Sequence, residues 1–234
     1  MRIATTFFKQ WLSDWRAYLA EFLATLGFVF IACLVVLSNQ FYGQVGDVGV
    51  ALAIGFSYAA LVFASAHTGG GYLNPVVTLA LWLAGRMPHV KAVLLIFAQV
   101  AASFSAAALI YWIFGNSAAR FLLGTPTIGV GVDIASAVAL EAILTAALVF
   151  VVFATAVDRR GPVSFSALAL GLYVTCATIA ALAISGAVLN PARAIGPAIL
   201  SKSYESLAVW LIGPLTGSLF GLVYELVFLR KGRK

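Results

Sequence analysis

The chain has 234 residues, 63% of them hydrophobic and only 9% charged, with a mean hydropathy of +1.05. So few charges exclude a soluble domain of this length and imply an integral membrane protein, one bundle of several helices without a separate soluble domain. The formal net charge of +6 is spread over short loops rather than gathered in a patch, which speaks for membrane topology and against nucleic-acid binding.

No tripartite signal peptide opens the chain. Phe7 to Trp15 reads as an amphipathic lead-in with Trp11 and Trp15 at the membrane interface. Apolar runs of about 20 residues, enough to span, follow at Ala17–Leu37, Val48–Ala66, Val90–Phe114, Ile134–Val157, Ser164–Ile184 and Leu207–Leu229. Two further runs, Asn74–Ala84 and Asn190–Leu200, are only about half a bilayer long. Cys33 and Cys176 lie inside apolar runs and read as small buried residues rather than as disulfide or metal ligands.

Arg2, Lys9, Arg16, Arg86, Lys91, Arg159, Arg160, Arg230, Lys231, Arg233 and Lys234 all fall on one side if both termini are cytoplasmic. Only Arg120 and Lys202 fall on the other, with Arg193 set apart, so the positive-inside rule predicts cytoplasmic termini. Glu225, near the end of the last span, reads as interfacial.

The two short runs open alike, with Asn74-Pro75-Val76 and, 116 residues further on, Asn190-Pro191-Ala192-Arg193. Proline suits the first turn of a helix, where its missing N–H costs nothing, and an asparagine before it can cap that helix. Short, Pro-interrupted segments at matching points of two halves point to a midplane site. The match extends outward. Ala51 to Gly55 pairs with Ala167 to Gly171, each Gly 19 residues before its Asn, and Glu21 and Glu141 each precede a Thr by four residues. Three spans per half is an odd number, so the two copies, roughly 16–114 and 134–229 of a single channel domain, insert with opposite topology. The predicted fold is therefore an all-α bundle of six spans plus two half-spanning helices in an inverted 3+3 repeat.

Two helix N-termini aimed at one point at bilayer depth concentrate positive potential there, with the Asn74 and Asn190 amides beside it. A cation or proton meets a barrier, while a neutral molecule exchanges hydrogen bonds and passes. The glycine-rich approaches Gly69 to Leu73 and Gly186 to Leu189 cannot be helical throughout, and irregular backbone at that depth must face protein or a wet cavity. Glu21 and Glu141 lie within spans, where a carboxylate is either a relay or ion site or a structural brace.

Together, Ala20-Glu21-Phe22, His67 to Pro75, Ser185 to Arg193, the paired triplets and the inverted repeat closely resemble the aquaporin (major intrinsic protein) family across nearly the whole chain. The resemblance implies a passive channel for water and small uncharged solutes. It implies a ladder of carbonyl acceptors from Gly70, Gly71, Tyr72 and Leu73 and from Gly186, Ala187, Val188 and Leu189. It also implies loop bracing by Glu21 and Glu141, and a selectivity filter of Ile54, Thr178, Ala187 and Arg193. Strict water channels usually carry Phe and His where Ile54 and Thr178 stand, so the filter is expected to be wider. Glycerol, urea, hydrogen peroxide and undissociated metalloid acids join the solutes to test. Glycerol channels usually have Asp after the arginine, where this chain has Ala194. Val76 replaces the family's usual alanine. Phe28, Tyr58, Leu148 and Val174 are expected on the pore wall, with Tyr58 at a position usually aliphatic in the family. His67 stays open between packing and pH gating, and His89 reads as a solvated or headgroup residue. The family assembles as homotetramers, and a multi-pass protein of the plasma membrane is expected. Two alternatives remain: a strict water channel, and an ion-coupled secondary transporter using Glu21 or Glu141. No enzyme motif, metal site or cofactor site is legible.

Overall fold

The computed structural model describes residues 2–229, with side chains described from Ser13 onward. Helix α1 (Arg2–Tyr42) joins the lead-in and the first span in one rod, so the interfacial place expected for Trp11 lies outside the described side chains. Trp15 is half exposed, with the Arg16 guanidinium 5.4 Å over its ring. The chain continues through α2 (Gly46–Ser65), α3 (Pro75–Leu83), α4 (His89–Phe114) and the single turn α5 (Asn116–Ala119). Helix α6 (Ile134–Val152) ends in a π turn at Phe153–Val157, and α7 is Ser166–Ala181. After α8 (Pro191–Leu200), the last span is built of α9 (Leu207–Ser218), α10 (Phe220–Tyr224) and a second π turn, Glu225–Leu229. Six segments are long and apolar enough to cross a membrane, at the positions the hydropathy of the sequence predicts to within a few residues. With 9 and 10 residues, α3 and α8 reach only about 15 Å, half of a bilayer core of about 30 Å.

Within the halves, α1 packs on α2 and α4, and α6 on α7 and α9. The halves meet where α2 crosses α7, and each half-helix wedges between the third spans, α3 on α4 and α9, α8 likewise. Small residues set these distances. A Cβ on Gly55 would lie 2.5 Å from the Gly171 carbonyl oxygen, and one on Gly171 would lie 2.6 Å from that of Gly55. Gly213 and Gly217 similarly rest on Glu141 and Ala142 of α6, which lets α9 approach α6 closely.

Glu225, near the end of the last span, is buried and takes two hydrogen bonds from Arg86, at 2.8 and 3.0 Å. Arg160 binds Asp158 through Nε and donates from Nη2 to the Phe228 carbonyl at 3.0 Å. Its hydrogen bonds hold the Asp158 carboxyl down to about 2. These contacts fasten the loops after α3 and α6 to the end of the last span.

The Gly55–Gly171 crossing predicts opposite results for two like substitutions. Gly55→Ala is expected to cost about 1–3 kcal/mol of stability through overpacking. Gly27→Ala, whose new Cβ would meet only Leu61 at an ordinary 3.4 Å, is expected to be neutral or slightly stabilising. Thermal unfolding of the purified variants in detergent measures both, and equal melting temperatures would refute the crossing as a limiting contact.

Candidate functional site

Asn74 and Asn190 are in extended conformation and cap the half-helices that their prolines begin. Asn74 Oδ1 accepts from the Val76 N–H at 3.0 Å, and Asn190 Oδ1 accepts from the Ala192 N–H at 3.0 Å. The amide nitrogens cross over. Asn74 Nδ2 donates to the Leu189 carbonyl at 3.0 Å, and Asn190 Nδ2 to the Leu73 carbonyl at 2.9 Å. Each motif is thus stapled to the loop of the other half, with one of the two amide N–H groups of each asparagine left over.

The residues before each asparagine are strained: φ is +54° at Leu73, +53° at Leu189 and +47° at Ala187, a region that side chains disfavour. Fully buried carboxylates hold them. Glu21 accepts from the Tyr72 and Leu73 N–H groups at 2.7 and 2.9 Å, and Glu141 from those of Val188 and Leu189, both at 2.8 Å. The third donor differs between halves: Gln99 Nε2 for Glu21, at 3.0 Å, and Ser185 Oγ for Glu141, at 2.7 Å.

Three cavities follow one another along these loops. A vestibule of about 300 Å³ includes Gly70, Gly71, Tyr72 and Arg86. A second, of about 240 Å³, includes Asn39, Asp47, Gly186 and Arg193. Between them lies a throat of only about 10 Å³, room for one water. Asn74 and Asn190 both line it, with Phe28, Tyr58, Leu148 and Val174 as apolar and aromatic wall. Tyr58 also borders the first vestibule, while Gly186 and Arg193 also border the second.

Of the four expected filter residues, Ile54, Ala187 and Arg193 come together on the throat. Thr178 is not among its lining residues, and its hydroxyl donates to the Val174 carbonyl of its own helix at 2.8 Å. Arg193 is 5% exposed and has only long contacts of 3.5 Å, to Cys33 Sγ and the Ala32 carbonyl. Of the expected carbonyl ladder, Gly186 to Leu189 line the throat and Gly70 to Tyr72 the vestibule, while Leu73 is buried. The Tyr72 carbonyl is taken by the Tyr58 hydroxyl at 2.9 Å. Val76 is fully buried; His67 and His89 are exposed, His89 lying against Trp82.

The model of the major intrinsic protein family matches residues 8–224. The chain belongs to the major intrinsic protein family. As such it is a membrane channel for water and small neutral solutes and not an enzyme. It is 38% identical to the probable aquaporin TIP4-1 of Oryza sativa subsp. japonica, over 92% of this chain and 88% of that one. It is 33% identical to the lens fiber major intrinsic protein of Lithobates pipiens, over 94% and 84% of the two chains. Its fold matches that of the aquaglyceroporin from Plasmodium falciparum at a TM-score of 0.78, with 22% identity over 92% and 96%.

Sequence reasoning missed the residues that buttress these family motifs. Gln99 bridges Glu21 and Thr78, Ser103 accepts from Gly196 N–H and donates to the Ala192 carbonyl, and Trp210 Nε1 donates to the Ser185 carbonyl. Gln99 carries a partial signal, an amide within a mostly apolar span, but its partners are not legible from it.

Glu21→Gln turns an amide N–H toward loop N–H groups and leaves one buried donor unmade, at a cost of about 1–3 kcal/mol. The variant is expected to melt earlier and to conduct less water. Unchanged melting together with an altered proton flux would instead identify Glu21 as a relay.

Proposed function

We propose that the protein conducts water and small uncharged solutes in single file through the throat and excludes protons and ions. The observation that carries this reading is the series of two vestibules joined by a one-water throat at which Asn74 and Asn190 meet. The N-termini of α3 and α8 place about half a positive charge each at that point. With the cation of Arg193 beside them, they oppose a permeating cation. The spare amide N–H of each asparagine donates to a passing oxygen, which orients a water away from relaying a proton.

In this reading Ile54, Thr178, Ala187 and Arg193 form the filter, and the loop carbonyls from Gly70 to Leu73 and Gly186 to Leu189 supply acceptors, apart from those of Tyr72, Leu73 and Leu189, which Tyr58, Asn190 and Asn74 occupy. Glu21 and Glu141 brace the loops. Their saturation by loop and side-chain donors argues against an ion-coupled transporter, which would need a carboxylate free to titrate. The two repeats, roughly 16–114 and 134–229, make one channel domain. The charge distribution supports cytoplasmic termini. In this reading the channel assembles as a homotetramer and resides in the plasma membrane. Ile54 and Thr178 are smaller than the Phe and His of strict water channels and leave more width beside Arg193, which favours glycerol, urea, hydrogen peroxide and neutral metalloid acids as further solutes at that end.

Proteoliposomes holding the protein are expected to shrink faster than empty ones in stopped-flow light scattering, without proton conductance; equal rates would refute the channel. Ile54→Phe combined with Thr178→His is expected to lower glycerol and urea uptake while sparing water. Unchanged uptake would remove these residues from the filter.

A further inference from the structure

Tyr58 departs from its repeat partner. It stands 16 residues before Asn74, as Val174 stands 16 before Asn190, so the first half places a phenol where the second places an isopropyl group. It lies one helical turn beyond Ile54, on the same face of α2. Its side chain is 1% exposed, and its ring stands edge-on to Phe28 at 5.0 Å and 79°. Its hydroxyl donates to the Tyr72 carbonyl at 2.9 Å, across from α2 to the loop that leads into Asn74. Among the described residues it alone borders both the vestibule on the Arg86 side and the throat.

We propose that Tyr58, latched to the Tyr72 carbonyl, forms a second specificity-determining constriction that slows solutes larger than water on the Arg86 side of the asparagine pair. This rests on the channel reading above. The ring fills the junction between vestibule and throat, and Phe28 holds it edge-on so that it cannot lie flat against the wall. The hydroxyl withdraws one of the acceptors from the expected ladder. A polyol or urea has to displace the ring and break the latch, while a single water passes with the ring in place. The wide Arg193 end and the narrow Tyr58 end are then two barriers in series, and the second limits the larger solutes.

The test is stopped-flow uptake of water, glycerol and urea by proteoliposomes holding wild type, Tyr58→Phe and Tyr58→Ile. Tyr58→Ile is expected to raise the glycerol and urea rates relative to water by about fivefold or more, the factor one hydrogen bond is worth. Tyr58→Phe keeps the ring and frees the carbonyl, and is expected to give a smaller rise in the same direction. Adding Ile54→Phe and Thr178→His to Tyr58→Ile is expected to abolish the solute gain, because both barriers lie on one path. A water-conducting Tyr58→Ile protein with the wild-type solute-to-water ratio would overturn the proposal. If that variant fails to fold, an unchanged ratio in Tyr58→Phe would overturn the latch. Absence of water flux in wild type would instead overturn the channel reading itself.

Discussion

Backbone that leaves the helix at bilayer depth has no water to satisfy it and must find partners inside the protein. That constraint governs Tyr72, Leu73, Val188 and Leu189. Their N–H groups go to the carboxylates of Glu21 and Glu141, and the carbonyls of Leu73 and Leu189 go to the amides of Asn190 and Asn74. Two strained loops are thereby locked by two caps and two carboxylates, each half closing part of the other's account. A throat one water wide needs such rigidity, because a shift of about 1 Å in either loop would change what fits.

The scaffold is symmetric, but its linings are not. Gln99 supports Glu21 where Ser185, itself held by Trp210, supports Glu141. Arg193 follows the second triplet and Val77 the first, so a buried cation stands at one end of the pathway only. Tyr58 and Val174 divide in the same way. The shared parts concern how the backbone survives in the membrane. The unshared parts lie on the surface that a solute meets, where a repeat is free to diverge without disturbing the fold.

Much of the fold is legible because hydropathy at this depth has one meaning. A run of about 20 apolar residues spans, and a run of half that length with a proline at its start does not. The paired triplets and the spaced glutamates likewise announce themselves, since polar residues are rare in such a chain. Gln99, Ser103 and Trp210 are harder to read. Each is an ordinary residue in a helix until the neighbour that it satisfies is known, and those neighbours lie 78, 89 and 25 positions away. Glu225 illustrates the same limit, since its burial follows from Arg86, 139 positions earlier.

The order of residues alone thus determined the six spans, the two capped half-helices and their opposed insertion, because these follow from local periodicity, from proline and asparagine chemistry and from an odd number of crossings. Tertiary structure alone decided where the asparagine amides point, that Thr178 turns its hydroxyl to its own helix, and that Tyr58 reaches the Tyr72 carbonyl. These are choices among several partners that a polar group has within reach. Packing of the two halves at the Gly55–Gly171 crossing and around the half-helices brings the loops close enough for the asparagine amides to make theirs.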